Sequence, residues 1–348
     1  MTNDENFLPQ STADGSFTFT SKEFGESFHS HYGARQESFF KFVEPTQLAI
    51  KASKPTLHLL DVCYGLGYNT AAALQTIWAV NPNCDVEVIG LEINAAVPQA
   101  AIAHHLFDNW NYEYTQILTH LAFEHQVETE RLKATLLIGD ARVSIGLVHQ
   151  SGFQADAIFL DPFSPPQCPH LWTIEFIKQT SQCLHAEGLL ATYSCAAAVR
   201  TALLAAGLAI GSTPPVGRRS PGTVAAQPDM GTRRQGDGCG ATGLKDKEGR
   251  VWGDKEEFAL PSSLSPHTRR PHPSPPPHPS PPSPLPPLSQ EEREHLLTRA
   301  AIPYRDPNLN DPAFVILERR EKEQQACSLE PTSRWRKRWL SASKVGTV

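Results

Sequence analysis

Four acidic residues close, or nearly close, four short apolar runs: Asp61 in LHLLDV, Glu92 in VEVIGLE, Asp140 in ATLLIGD and Asp161 in ADAIFLD. In open α/β sheets ligands bind outside the carboxyl ends of the strands. If these runs are parallel strands, one rim of the sheet therefore carries four carboxylates, a setting that suits cations and hydrogen-bond donors. One Asp after one strand means little, because Asp is a common turn and cap residue. Four in register ask for a shared ligand.

The first carboxylate opens DVCYGLGYNT, where Gly65 and Gly67 bracket a strand-to-helix turn and Asn69 is expected to cap a helix starting at Thr70. This G-x-G-x-N pattern lacks the third glycine of a dinucleotide fingerprint. By itself it is equally compatible with a turn that serves geometry alone. Glu92, about 25 residues further on, is placed to accept both hydroxyls of a ribose. Asp140, in IGDAR, is placed for the exocyclic amine of an adenine. No P-loop lysine or long glycine run supplies a phosphate cradle. An adenosine ligand without phosphates in an acidic pocket points to S-adenosyl-L-methionine, whose sulfonium is cationic. The expected binding set is Asp61, Gly65, Gly67, Asn69, Glu92 and Asp140.

The elements that must position these residues follow from periodicity. Residues 57–62, 86–92, 134–140, 155–161 and 188–194 read as strands, with helices at 70–80, 95–105, 173–184 and 196–206. Such alternation predicts an α/β fold with a mostly parallel, doubly wound sheet. Ahead of it, residues 34–50 have the spacing of an amphipathic helix. AFVILERR (313–320) reads as a last strand, and Ser289 with Glu292 has the capping-box spacing.

Composition divides the chain of 348 residues. Residues 1–220 and 288–325 are expected to form one discontinuous domain. The Pro/Gly-rich stretch 221–287 lacks the apolar content to offset ordering entropy and is expected to be a disordered insertion. Residues 326–348 form a basic, aromatic tail. A net charge of -6 excludes a uniformly basic nucleic-acid binder and leaves room for a local patch. Seven scattered cysteines without a C-x-x-C pair argue against a disulfide framework. With no signal peptide and no apolar stretch of membrane-spanning length, a cytoplasmic protein without membrane contact is expected.

The stretch DPFSPPQCPHLW (161–172) is more specific. Its Asp161, Phe163, Ser164, Pro165, Pro169 and Trp172 resemble the signature of the methyltransferase half of MnmC, a tRNA 5-methylaminomethyl-2-thiouridine biosynthesis enzyme. SCAAAVRTALLAAGL (194–208) and PVGRRSPG (215–222) resemble later segments of that family. Pro162, Cys168 and His170 stand where the family usually has Gly, Asn and an acidic residue. The resemblance covers about residues 20–222 and resumes at 289–320; the oxidase half of bifunctional members has no counterpart here.

The resemblance implies a class I, Rossmann-like methyltransferase that uses S-adenosyl-L-methionine to methylate the 5-aminomethyl group of a wobble (thio)uridine in the anticodon stem-loop of tRNA. An alkylamine of pKa ~10.4 has to lose a proton before it attacks, at a cost of roughly 4 to 5 kcal/mol at neutral pH. Asp161 is the expected catalytic residue: a carboxylate beside the nitrogen favours the positive charge that arrives there and orients or receives the proton. Phe163, Pro165 and Trp172 would wall the uracil; the bland alternative is that the aromatics are core residues. Arg218 and Arg219 match basic residues that the family places near its substrate.

Other features are weaker. His29 and His31 lack a third ligand, and no metal is expected. Tyr32, Arg35 and Glu37 are candidates for the methionine end of the cofactor, with Arg35 facing its carboxylate. RWRKRW (334–339) offers cations and tryptophans for phosphate contact and base stacking, or else tryptophans that pack on the domain. Rival functions are an aminopropyltransferase-like enzyme, another small-amine methyltransferase, and a non-catalytic scaffold that retains the fold.

Overall fold

The computed structural model describes residues 7–215, 220–228 and 285–342. Residues 229–284 of the expected insertion fall outside the described residues, as do Arg218 and Arg219. The described residues form one compact unit.

The chain opens with a two-stranded hairpin, β1 (Gln10–Ser11) and β2 (Phe17–Thr18). The helix expected at 34–50 is broken into α1 (Ala34–Glu37), a π-helical stretch (Ser38–Val43) and α2 (Leu48–Lys51). Gln47 interrupts it with a left-handed φ of 58°.

Strands and helices then alternate as their patterns predict: β3 (Thr56–Val62), α3 (Tyr68–Val80), β4 (Asp85–Glu92) and α4 (Ala96–Ala103). After these come α5 (Tyr112–Glu124), β5 (Gln126–Glu128), β6 (Leu132–Ile138), α6 (Ala141–Gln150) and β7 (Ala155–Leu160). The next are α7 (Ile174–Gln182), β8 (Leu184–Thr192), α8 (Ala197–Ala205), β9 (Ala209–Ser212) and β10 (Thr223–Ala226). Strand β10 lies just beyond the boundary expected at residue 220, so the sheet extends into the segment assigned to the insertion.

The eight-stranded sheet runs β5-β6-β4-β3-β7-β8-β10-β9. Its centre, from β6 to β8, is parallel; β10 is antiparallel to both neighbours, and β5 is antiparallel to β6. Strand order reverses between β3 and β7, which places the switch point at their carboxyl ends, beside Asp61 and Asp161.

Alternation along the strands builds two cores. Leu57, Leu59, Val86, Val88 and Phe159 pack against α3, α5 and the N-terminal helices. Leu60, Val62, Leu91, Ile158 and Leu160 pack against α6, α7 and α8. Burial on both faces explains why the central runs are apolar throughout.

The described residues after 285 carry three α-helices: α9 (Gln290–His295), α10 (Ala313–Ala326) and α11 (Thr332–Ala342). Segment 313–320, expected as a strand, is the start of α10. Its short apolar run is ambiguous between the two states. The residues after it, ERREKEQQA, favour a helix and add a Glu318–Lys322 pair one turn apart. Only Ile316 of α10 is buried. Ser289 caps α9 in a complete capping box with Glu292, as its spacing predicts.

Candidate functional site

Above the switch point lies a cavity of about 760 Å³. Among the residues lining it are Gly65 and Asn69 after β3, Glu92 and Asn94 after β4, Asp140 and Arg142 after β6, Asp161 to Ser164 after β7, and Tyr193 after β8. Residues 21–31, ahead of the sheet, complete the wall.

Glu92 sits at the floor, buried. One carboxylate oxygen accepts the Gly65 N–H at 2.8 Å and the other the Asn94 N–H at 2.9 Å. Burial raises its pKa, and these amide bonds oppose that rise. Each oxygen keeps a lone pair for a ligand diol. Gly65, at φ 57°, can turn its amide inward because it lacks a side chain.

Gly67 does something else. It caps α3 at φ 94°, and a Cβ there would fall 2.7 Å from the Tyr64 hydroxyl oxygen. Gly90 on β4 would likewise collide with Tyr64 and Leu136. The two glycines accommodate the Tyr64 ring, and Gly67 does not reach the cavity. Cys63, which does line it, has a left-handed φ of 68°, a strained conformation for a residue with a Cβ.

Asn69 is not the helix cap. It lies inside the first turn of α3, and its side-chain amide donates to Asp161 Oδ2 at 2.9 Å, while its own Oδ1 is buried without a partner. Asp161, at the end of the fully buried β7, is half-buried and points at the helix start. Two of the expected site residues thus touch directly.

Asp61 departs from expectation. It is 0% exposed and lies behind the cavity wall; one oxygen accepts the Thr70 hydroxyl at 2.7 Å and the other has no partner. Burial pushes its pKa up to about 8, against the Thr70 hydrogen bond and with help from Glu92. A native pKa above the usual ~3.9 means that the folded state holds the proton more tightly. The stability gained is then full below pH ~4 and lost as pH rises through about 8. Asp61→Asn should therefore flatten the fall in melting temperature between pH 5 and 8 relative to wild type. One such group contributes at most about 1.4 kcal/mol per pH unit. Parallel melting curves for the two proteins would refute this assignment.

Asp140 lines the cavity, but its carboxylate also caps α6 through the Arg142 N–H and is gripped by the Arg142 guanidinium at 2.7 to 3.1 Å. Arg142 reaches on to Asp306 at 3.1 Å, and these bonds hold the Asp140 pKa below its ordinary value although burial works the other way. Asp140 is thus positioned by a salt bridge that its sequence context did not disclose.

Phe163 lines the cavity, stacked on Phe24 with centroids 4.5 Å apart and edge-on to Phe28 at 5.0 Å. Trp172 does not line it. Trp172 is 0% exposed and donates its indole N–H to the Phe163 carbonyl at 2.8 Å, while Pro165 is buried outside the cavity wall. Both support the turn from below: the 3-10 turn between β7 and α7 carries Trp172 into the core. Arg35 stacks over Trp110, 4.5 Å from its centroid, and contacts Gln75 rather than the cavity. Glu37 does line the cavity and accepts the Ser30 N–H at 2.9 Å; Tyr32 is exposed and stacks on His31. Among the described residues no cluster of three or more potential metal ligands occurs.

Residues missed from sequence are Glu26, Phe28, Cys63, Arg142 and Tyr193. Tyr193 was within reach of the strand-end rule: the run expected as a strand over 188–194 ends at Thr192 of β8, and Tyr193 directly follows it. Glu26 and Phe28 belong to an irregular segment that carried no periodic signal.

The lining is rich in acceptors, and its arginine is already shared by two aspartates. The unpartnered Asn69 Oδ1 and the amide-held Glu92 suit a donor-rich, cationic nucleoside better than a phosphate ester.

A family profile described as S-adenosyl-L-methionine-dependent methyltransferase matches residues 104–228. An uncharacterized protein of Methanocaldococcus jannaschii is 30% identical over 62% of this chain and 58% of its own length. The bifunctional tRNA 5-methylaminomethyl-2-thiouridine biosynthesis protein MnmC of Ralstonia nicotianae is 35% identical over 39% of this chain and 19% of its own. The crystal structure of MnmC2 from Aquifex aeolicus superposes with a TM-score of 0.65 at 28% identity, covering 92% of this chain and 86% of that one. The chain is thus similar to S-adenosyl-L-methionine-dependent methyltransferases over residues 104–228 and to MnmC2 over most of its length. The chain spans about three-fifths of the archaeal relative and one-fifth of the Ralstonia protein. Its fold is that of a class I, Rossmann-like methyltransferase. No helix among the described residues is long and apolar enough to cross a membrane.

Proposed function

We propose that this chain methylates the primary amine of a 5-aminomethyl group on the wobble (thio)uridine of tRNA, in the anticodon stem-loop, with S-adenosyl-L-methionine as methyl donor. The observation that carries the reading is the Asn69–Asp161 contact at the switch point, inside an acceptor-rich cavity and next to the aromatic face of Phe163.

Glu92, Gly65 and Asn69 would hold the cofactor's nucleoside, with Asp140 at its adenine edge. When bound, the cofactor supplies an electrophilic methyl group on a cationic sulfur. Asp161 accepts an amine N–H and thereby aims the lone pair. Its fixed charge favours the positive charge that appears on nitrogen, and it is placed to receive the proton released afterwards. Phe163, stacked on Phe24, presents a flat apolar surface for the pyrimidine. Restricting the nucleophile in this way replaces solvent reorganisation with a preformed geometry. Incubation with cofactor and hypomodified tRNA, followed by nucleoside mass spectrometry, should show 5-methylaminomethyl products; unchanged 5-aminomethyluridine would refute the reading.

An acidic chain that acts on tRNA needs a local cationic surface. The tail supplies one in part. Trp335 stacks on His295 at 4.0 Å and Trp339 donates to Glu294, so the tryptophans pack on α9 and are not available for base stacking. Arg334 and Arg336 are exposed on α11, which contains no acidic residue. Arg334→Ala with Arg336→Ala should lower the slope of log K against log salt for tRNA binding by about 1 to 2. An unchanged slope would remove α11 from the RNA surface.

A further inference from the structure

Residues 161–164 are held one by one, by side chains from four different places. Asn69 of α3 holds the Asp161 carboxylate, and the Tyr193 hydroxyl donates to the Pro162 carbonyl at 2.9 Å. The Trp172 indole donates to the Phe163 carbonyl, and Glu26 accepts from both the N–H (2.9 Å) and the hydroxyl of Ser164. Three of these holders belong to the sheet and its flanking elements. Glu26 does not: it lies near the base of a tight turn, residues 20–27, that precedes the first central strand.

That turn is itself well defined. Thr20 and Ser27 form a bridge, the Ser21 N–H donates to the Glu26 carbonyl at 2.8 Å, and Gly25 takes φ 66° to reverse the chain. Its two inward groups, Phe24 and Glu26, both contact the same four-residue loop, one by stacking on Phe163 and the other through Ser164. A carboxylate that accepts two bonds from one residue fixes that residue's orientation as well as its position.

We infer that Glu26 is a positioning residue for methyl transfer: through Ser164 it locks the loop that carries Asp161 and Phe163, and it makes the docked 20–27 turn part of the amine site. The inference rests on the proposed role of Asp161. Glu26 lines the cavity, but both of its carboxylate oxygens are engaged by Ser164, so the role assigned to it is to set the angle at which Asp161 and the ring of Phe163 are presented. Loss of that constraint costs alignment, and a misplacement of about 1 Å is worth up to roughly a hundredfold in rate. Cofactor binding depends on Glu92, Gly65 and Asn69, none of which Glu26 holds, so affinity for the cofactor is spared.

The test compares wild type, Glu26→Ala, Glu26→Gln and Glu26→Ala with Ser164→Ala. Glu26→Ala is expected to lower kcat on hypomodified tRNA by about ten- to a hundredfold, with the Kd for S-adenosylhomocysteine within two- to threefold of wild type. Glu26→Gln keeps an acceptor for the Ser164 N–H and should recover most of the rate. Adding Ser164→Ala to Glu26→Ala should cost little more, because both act through one contact. Trypsin cleavage after Lys22, on the same turn, should be faster in Glu26→Ala than in Glu26→Gln. An unchanged kcat in Glu26→Ala, a parallel loss of cofactor affinity, or a glutamine variant as impaired as alanine overturns the inference. A wild-type protein inactive on hypomodified tRNA would instead refute the proposed substrate; the proteolysis comparison would still show whether Glu26 holds the turn in place.

Discussion

Asp161→Asn should lower kcat by about 10²- to 10⁴-fold, the range for a positioned acid–base group, while the Kd for S-adenosylhomocysteine changes less than about threefold. Asparagine is the informative replacement because it is nearly isosteric. Its side-chain oxygen can still accept the Asn69 amide that now meets Asp161 Oδ2 at 2.9 Å, so the loop geometry should survive. What is lost is the negative charge beside the nitrogen and the capacity to take its proton. Asp161→Ala would add a hole and an unpaired Asn69 amide, and would mix those effects with the chemistry. Single-turnover transfer to hypomodified tRNA measures the rate, and calorimetry with S-adenosylhomocysteine measures the pocket. A kcat within tenfold of wild type would show that Asp161 is a structural partner of Asn69 only.

The contrast between Asp161 and Asp61 shows how far the sequence reaches. Both are aspartates at the ends of central strands, and strand periodicity located both to within a residue or two. Their fates diverge on contacts that periodicity does not encode. Asp61 lies within β3, where Thr70 from the first turn of α3 covers it, so the carboxylate is enclosed. Asp161 is one residue past β7 and emerges at the rim. The same limit applies to the 161–172 stretch. Its residue types identified a family and a turn, but which aromatic faces the cavity depends on the 3-10 turn at Pro169–Trp172, which rotates Trp172 into the core and leaves Phe163 at the surface of the site. The segment at 313–320 shows the converse: its apolar run fits a strand as well as a helix, and the charged residues that follow decided the outcome. Contacts distant in sequence, such as Glu26 with Ser164 or Arg142 with Asp306, have no local signature at all.

Residues 285–342 are tied to the rest of the domain by ion pairs that include Arg142–Asp306, Arg305–Glu175 and Arg200–Glu292, and removal of the last, the one with the most deeply buried guanidinium, should be strongly destabilising. Arg200 of α8 is 2% exposed, with its guanidinium bonded to Thr223, Ser212, the Gly222 carbonyl and, at 2.8 Å, Glu292 of α9. Glu292 divides its two oxygens. One serves Arg200 and the Ser212 hydroxyl; the other closes the capping box on the Ser289 N–H. Glu292→Ala leaves a buried guanidinium without its counter-charge, which costs about 3 to 5 kcal/mol, and opens the helix cap, worth about 1 kcal/mol more. Glu292→Gln keeps one acceptor, enough for the Arg200 and Ser212 contacts, but turns the other position into a donor that cannot accept the Ser289 N–H; it should lose less than alanine while still forfeiting the charge and one capping bond. Burial works against ionisation of Glu292, but the bonds from Ser212, the Ser289 amide and Arg200 outweigh it and hold its pKa below the usual range. A depressed native pKa makes this contribution present above pH ~4.5 and lost as pH falls through the native value. Chemical denaturation at pH 7 and at pH 4 measures both effects: the gap between wild type and Glu292→Ala should narrow at the lower pH. A gap below about 1 kcal/mol at pH 7, the level of an exposed ion pair, would mean that α9 is held by its packing and not by Arg200.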